Sequence, residues 1–558
     1  MVKNHKELKY IIAKPIRFWK PYRFQVKGFS KTTMKLNIKD TFNKVLTADQ
    51  NKENTRRQVE KAHFSYVTPR IPDAPKLLHV AEEMLENIGL TSKDATTEAF
   101  LNMVSGSSVL PNTAPFAMCY GGHQFGHWAG QLGDGRAINL FEVVENDQRW
   151  ALQLKGSGST PYSRTADGRA VLRSSIREHL CSEAMFALNV PTTRSLSLAI
   201  TGDHVLRDML YDGNAEYEKG AVVCRVAPSF IRFGNFQILT ARNDKENLQK
   251  LTDYTISHFF PTIETGTKAG YIEFFKSVAE RTLDMIIGWQ RVGFVHGVMN
   301  TDNMSILGLT IDFGPYGWLE GYDKSWTPNT TDKQNRRYRY GQQIGIGLWN
   351  LFQLANTLYP LIEETAPLEA ILDNYKTDYA KKYPAMMRQK LGLMTQLESD
   401  NQLIETLENN LEMVETDMTI FFRNLSQIKK NTIIEENDDS FLAVIETAFY
   451  NKNELNKGQI RFWRDWFGQY LARLEKEIAT DEARKTLMDS VNPKYVLRNY
   501  MAQLAIDKAD NGDYDLISEL HELLKKPYDE QPEFEKWFAK RPEWARHKVG
   551  CSMLSCSS

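Results

Sequence analysis

The sequence predicts an α+β fold of two lobes, with a long, mainly helical C-terminal region. Three observations carry that expectation. The chain has 558 residues, too many for one ordinary domain, and its 42% hydrophobic and 25% charged content is that of a globular protein. Strand-like runs lie mostly before about Thr240. Beyond that residue the apolar spacing is helical almost to the end, interrupted at Phe294–Gly314.

Bulk charge and apolar content exclude several classes of partner. Sixty-nine Lys and Arg face 70 Asp and Glu, a net charge of −1, so no overall field draws nucleic acid or an anionic membrane, and neither is expected as a partner. No stretch approaches the roughly 18 consecutive apolar residues that cross a bilayer, and the chain reads as soluble and monomeric. Five cysteines, Cys119, Cys181, Cys224, Cys551 and Cys556, are too sparse for a disulfide scaffold and fit a reducing, cytoplasmic compartment. Residues 1–33 hold nine Lys or Arg against the single acid Glu7 and include one Ser, unlike an Arg- and Ser-rich transit peptide. Because Met34 opens a natural start, this segment is expected to be a disordered extension, with mitochondrial targeting as the alternative.

Taken in order, the spacing predicts a helix over about 75–104 and a Gly/Ser/Pro-rich connection over Ser105–Arg136. Strands follow at Ala137–Val144 and Trp150–Lys155, joined by the turn-forming Glu-Asn-Asp-Gln. A loop from Gly156 to Gly168 leads to a helix over Arg169–Asn189, and further strands are expected at Arg194–Thr201 and Gly220–Ala227. The acidic, Asn-rich stretch Glu398–Asp439 reads as solvated helix faces. The expected division is an extension 1–33, a first lobe 34–235, a helical lobe 236–548 and a flexible Cys-containing end 549–558.

The segment from His296 to Gly314 carries most of the chemistry. It reads as a loop with His296-Gly, Asp302 and Asn303, then a short apolar strand, then Asp312-Phe-Gly. Kinase-like enzymes space an Asn and the Asp of Asp-Phe-Gly in this way because both oxygens converge on Mg²⁺ held against ATP phosphates, so Asn303 and Asp312 are the expected metal ligands. The position two after the His, where such enzymes keep a proton-accepting Asp, is Val298. Asp302 is the replacement acid, with a turn-capping role as its competing reading.

A nucleotide site of this type also needs a strand Lys held by a helix Glu. Alternation along Trp150–Lys155 puts Ala151, Gln153 and Lys155 on one face. On the following helix Leu172, Ile176, Leu180 and Ala184 form the apolar stripe and Glu178 lies off it among small and apolar neighbours, so it needs a cation, for which Lys155 is the natural partner. The Gly133-Asp-Gly135-Arg136 and Gly156-Ser-Gly turns let backbone amides approach phosphate and Arg136 adds donors, although plain hairpin turns explain both equally. Arg225 interrupts an apolar run and Arg232 follows it. Buried guanidinium groups need an anion, polyphosphate or a structural carboxylate.

These residues resemble the selenoprotein O family of pseudokinases, also called protein adenylyltransferases. The likeness runs from about Met34 to the C-terminus. It is carried by Gly121-Gly-His-Gln-Phe-Gly126, Trp128 to Arg136, Leu154-Lys-Gly, Thr160-Pro-Tyr-Ser-Arg, Asp167 to Glu178, Arg225-Val-Ala-Pro-Ser, and His296 to Ser305 with Asp312-Phe-Gly-Pro. The resemblance implies a protein-kinase-like bilobal fold in which flipped ATP is attacked at its α-phosphate. AMP then passes to a protein Ser, Thr or Tyr hydroxyl and pyrophosphate leaves. It further implies nucleotide contacts from Gly133, Gly135, Arg136, Lys155, Asp167, Gly168, Arg225 and Arg232, with Glu178 holding Lys155. Asp302 becomes the proton acceptor, and Asn303 and Asp312 the ligands of Mg²⁺ or Mn²⁺. Some members carry selenocysteine third from the C-terminus, where this chain has Cys556, and a Cys551–Cys556 redox pair is one expectation, two reduced thiols the other. Three alternatives to AMP transfer stay open on the residues alone: γ-phosphoryl transfer, UMP transfer, and a non-catalytic ATP-binding pseudokinase with a redox role.

Overall fold

The computed structural model describes residues 34–434 and 439–555. The expectations placed on the basic segment 1–33 and on Cys556 fall outside the described residues. The first half holds helix α1 (Phe42–Val45), strands β1 (Phe64–Tyr66) and β2 (Lys76–Val80), helices α2 (Glu82–Asn87) and α3 (Glu98–Ser105), and strands β3 (Phe116–Met118), β4 (Gly121–Gln124), β5 (His127–Gln131), β6 (Ala137–Glu145), β7 (Gln148–Lys155) and β8 (Ala170–Val171). Helix α4 (Leu172–Ala187) precedes the long strands β9 (Arg194–Arg207) and β10 (Glu216–Ala227). Helices α5 (Phe233–Ala241), α6 (Lys245–Phe259) and α7 (Lys268–Val292) follow, with the short strands β11 (Phe294–Val295) and β12 (Gly317–Trp318) flanking the His296–Gly314 segment. The remainder is helical: α8 (Gln343–Ile362), α9 (Ala366–Lys390), α10 (Asp400–Met413), α11 (Met418–Leu425), α12 (Lys457–Leu474), α13 (Asp481–Val491), α14 (Asn499–Asp510) and α15 (Asp515–Leu524). Helix and strand together give the α+β class, and among the described residues no helix is long and apolar enough to cross a membrane.

One sheet runs in the order β1-β3-β6-β7-β10-β9-β2, with β8 pairing β10 off that path, and its pairs are antiparallel. Strand periodicity sorts its two faces. Leu140, Leu152, Leu154, Val222, Cys224 and Val226 point one way and pack with α2 and α3. Gln153, Lys155 and Arg225 point the other way, into the region covered by α4. Nearly every residue of α4 is buried, because the sheet takes one side while α14 and α15 pack on it from the C-terminal region. Arg177 fixes this arrangement: it is 1% exposed, donates to the Tyr316 carbonyl at 2.9 Å and reaches Asn499 Oδ1 at 3.4 Å.

Several local expectations need correction. The helix expected over 75–104 is broken into β2, α2 and α3, because Lys76–Val80 pairs with Ile200–Ser197 and the open edge of β9 outweighs the helical spacing. The connection 105–136 contains β3, β4 and β5, which are too short to show periodicity. No regular strand forms between Asn303 and Asp312. Ser305 and Thr310 make only isolated bridges, to Arg232 and Thr192. The acidic stretch is solvated only in part: Asn401, Glu405 and Asn409 of α10 are exposed, whereas Asp400 and Asp417 are fully buried. Asp400 meets Arg473 at 2.6 Å, and Asp417 takes both guanidinium nitrogens of Arg498 at 2.6 and 2.9 Å. The described part of the end expected to be flexible is packed: Leu554 O accepts from Thr330 N at 2.7 Å, and Cys551 is buried with its carbonyl bonded to Asn499.

Candidate functional site

The site begins at the end of β7. Lys155 projects from the same face as Gln153, and Arg225 of β10 stands directly across from Gln153 in the ladder. Helix α4 supplies the acid. Lys155 Nζ lies 2.6 Å from Glu178 Oε2, and Arg225 Nη1 is 3.0 Å from Glu178 Oε1, so one buried carboxylate holds two cations. Burial pushes the Lys155 ammonium below its usual range, an effect that Glu178 opposes.

The second half of the site comes from the loop after β11. His296 Nε2 bonds the Ile311 carbonyl at 2.9 Å, tying the start of this loop to the residue before Asp312. Asn303 donates from Nδ2 to the Val298 carbonyl at 2.9 Å, which fixes its amide. Asp312 adopts φ 59°, a left-handed conformation that Asp tolerates better than most residues, and its carboxylate turns back toward the sheet. There Oδ1 receives Arg225 and Oδ2 receives Arg232, while Lys155 Nζ stands 3.7 Å from Oδ1. Burial alone would raise the Asp312 carboxyl, but Arg232, Arg225 and Lys155 outweigh it and hold it well below the usual carboxylate range. Sequence reasoning left polyphosphate and a carboxylate as alternatives for the two arginines. In this structure they are on carboxylates.

Asp302 has a different environment. Arg232 Nη1 donates to its backbone carbonyl at 3.0 Å, so one guanidinium links Asp302 to Asp312. Its side chain faces the β4–β5 hairpin, where Gln124 Nε2 reaches Oδ2 at 3.3 Å and Oδ1 is buried without a partner. Burial, partly offset by Arg232, pushes this carboxyl up to about 6. The hairpin docks closely: Thr301 Oγ1 accepts from His123 N at 2.7 Å and Asn300 Oδ1 from Phe125 N at 3.2 Å. Gly122 makes this approach possible, because a Cβ there would lie 2.7 Å from Asp302 Oδ1.

The Gly-rich turns border the same cluster. Gly135 and Arg136 lead directly into Ala137, which pairs with Lys155, and Gly156 N bonds Arg136 O at 2.7 Å. A Cβ at Gly133 would fall 2.4 Å from Tyr162 Cγ, so this turn packs on the Thr160–Arg164 segment. Arg136 is close enough for its charge to depress the Lys155 ammonium further. Gly168 closes the second loop against Gly158, whose carbonyl would be 2.2 Å from an added Cβ. The Asp167 side chain ion-pairs with Arg207 at 2.7 Å and Arg169 at 3.2 Å.

These residues fit a triphosphate held with a divalent cation. Among the described residues no three His, Cys, Asp or Glu side chains gather into a metal cage. One carboxylate and one amide, Asp312 and Asn303, would offer a divalent cation a sparse oxygen set that phosphate and water would complete. Besides Asp302 Oδ1, Arg225 Nε and Arg232 Nη2 are buried without partners, the unmet capacity that an anion would satisfy.

Four contributors escaped sequence reasoning. Gln153 accepts from Arg225 Nη2, and Asp134 joins the same buried network through Asn139 at 3.1 Å and Gln153 at 3.5 Å. Gly122 and Gln124 were visible only as part of the Gly-Gly-His-Gln-Phe-Gly block that carries the family resemblance. Nothing in the sequence named Asp302 as the group that they approach.

Comparison with known proteins gives a consistent relationship. Residues 47–525 match the family described as protein adenylyltransferase SelO. The chain is 60% identical over 523 residues to the protein nucleotidyltransferase YdiU of Flavobacterium johnsoniae, covering 94% of this chain and 99% of the relative. It is 52% identical over 540 residues to the protein nucleotidyltransferase YdiU of Rhodopirellula baltica, covering 94% of this chain and 100% of the relative.

Proposed function

This chain belongs to the protein adenylyltransferase SelO family, and from that premise we propose that it transfers AMP from ATP to Ser, Thr or Tyr hydroxyls of proteins. The observation that carries this reading is the pairing of one unengaged carboxylate oxygen, Asp302 Oδ1, with the adjacent set of Lys155, Arg225 and Arg232. A base and a concentrated positive charge on one wall are what attack on phosphorus requires.

In this reading Asp302 accepts the proton of the acceptor hydroxyl. Its carboxyl, raised to about 6, is ionised at neutral pH yet basic enough to take the proton. The hydroxyl oxygen forms a bond to the α-phosphorus as the bond from that phosphorus to the α,β-bridging oxygen breaks, and pyrophosphate leaves with the electron pair. Lys155, Arg136, Arg225 and Arg232 hold the phosphates and neutralise the leaving charge, with backbone at Gly133, Gly135 and Gly168 and the side chain of Asp167 bordering the nucleotide. A Mg²⁺ or Mn²⁺ ion held by Asn303 and Asp312 would add Lewis-acid neutralisation. Glu178 keeps Lys155 and Arg225 in place. The sheet with α4, residues 34–235, and the helices of 236–548 form a kinase-like pair of lobes in this proposal, with 549–558 as a terminal segment.

ATP labelled separately at the α and γ phosphates tests the reading, with intact mass of the acceptor as a second readout. Label from the α position and an added AMP mass are expected. Label from the γ position alone would replace this proposal with phosphoryl transfer.

A further inference from the structure

The segment following Asp312-Phe-Gly contains Lys333-Gln-Asn-Arg336-Arg337-Tyr338-Arg339, four cations and no acid in seven residues. The nearby cation Lys324, by contrast, lies 3.1 Å from Glu408. None of these four forms an ion pair with a carboxylate among the described residues. Arg336 donates to Ser325 Oγ at 3.0 Å, and Arg339 to the Arg336 carbonyl and to Gln342 Oε1. Asp332, the neighbouring acid, is 1% exposed and spends both oxygens on the backbone amides of Arg337 and Tyr338. Arg337 Nε is buried without a partner.

This basic strip adjoins Asp302. Tyr338 OH donates to Asn300 Oδ1 at 2.6 Å and accepts from Phe125 N at 3.0 Å, so the strip and the β4–β5 hairpin meet on the loop that carries Asp302. A Cβ at Gly126 would sit 3.4 Å from Arg337 Cζ. Arg337 lies 4.8 Å above the Trp349 ring, and rings continue through His123 to Trp128, which is 40% exposed. Cations backed by exposed aromatic surface, next to the base, form a ledge that a carboxylate-bearing chain segment complements.

We propose that this ledge docks the acceptor protein, and that it selects Ser, Thr or Tyr hydroxyls flanked by Asp or Glu. The inference rests on the proposed AMP transfer for its direction, since the acceptor is the substrate that must reach Asp302. The triphosphate has its own cations in Lys155, Arg225 and Arg232. The strip is therefore assigned to the second substrate.

The test uses the full chain and fluorescein-labelled Ser peptides with acidic, neutral or Lys flanks. Binding is followed by anisotropy, and modification by intact mass with ATP and Mg²⁺. Several exposed charge pairs together give a preference of roughly tenfold for acidic over Lys flanks, decreasing as salt rises. Lys333→Glu/Arg336→Glu, at two exposed positions, is expected to remove that preference with unchanged melting temperature and ATP affinity. Arg337→Gln is the second variant and is expected to weaken acidic-peptide binding without lowering ATP affinity. Equal binding of all peptides by the wild type overturns the inference. Loss of ATP affinity with the peptide preference intact also overturns it, by assigning the strip to the nucleotide. If acidic peptides bind selectively but gain no AMP mass, the docking surface stands and the AMP-transfer reading fails. AMP transfer without charge preference gives the reverse.

Discussion

Lys155 and Glu178, on a strand and on the helix after it, are 2.6 Å apart and almost wholly buried, and Glu178 also holds Arg225 at 3.0 Å. Removing the carboxylate leaves two interior cations to share Asp312 as their remaining anion. Glu178→Gln is expected to destabilise the chain by about 3–5 kcal/mol, the usual result of breaking a buried pair from one side. Denaturant unfolding measures it. Lys155→Met combined with Glu178→Gln should cost less than the sum of the two single changes, because the second change meets a site already without its partner.

Asp302 makes a pH signature. Its folded carboxyl stands at about 6 against an ordinary 3.8, so ionising it in the folded state opposes folding. That cost is fully present above about pH 6, fades as pH falls through the folded value, and is gone below the ordinary one. Asp302→Asn is thus expected to stabilise the metal-free chain at pH 7–8 by roughly 3 kcal/mol, from about two pKa units at 1.36 kcal/mol each. The difference between variant and wild type should vanish near pH 4. A constant difference across this range, measured by thermal unfolding, would count against the buried carboxylate.

The Gln124 contact lowers the Asp302 carboxyl by stabilising its ionised form. Gln124→Ala should move the acid limb of the kcat/KM profile to higher pH, with most activity recovered at pH 8–9. Gly122→Ala acts by a different route, since its Cβ would press on Asp302 at 2.7 Å. Its expected result is a loss of about 10²-fold or more in kcat at every pH, with circular dichroism unchanged.

Asp312 engages Arg225 and Arg232 in this structure, yet the proposed reaction needs those arginines on phosphate and Asp312 on metal. Exchange of partners is therefore required. Asp312→Asn should abolish metal-dependent transfer while binding metal-free ATP at least as tightly as the wild type, because the arginines no longer face a competing carboxylate. Calorimetry with and without Mg²⁺ measures both terms.

Local chemistry was the part most legible in the sequence. Alternation along β7 put Lys155 on the face that holds the site. Off-stripe placement of Glu178 on α4 marked an acid in need of a cation, and the structure brings the two together. The positions of Asp302, Asn303 and Asp312 on one segment were equally visible. Periodicity failed where elements were short or paired at a distance. Lys76–Val80 is a strand because β9 offers an edge, and Asp400 and Asp417 are interior because Arg473 and Arg498, over 70 residues away, neutralise them.

By itself, then, the sequence determined which side chains this protein has for handling phosphate and protons, because strand and helix periods assign each residue a face. Tertiary structure alone decided who meets whom. It set Gln124 and Gly122 against Asp302, placed the Lys333–Arg339 strip beside the same loop, and put α14 and α15 on the helix that carries Glu178. These contacts join segments 38 to over 300 residues apart. No local period encodes them, since they arise only when separate elements bury their surfaces against one another.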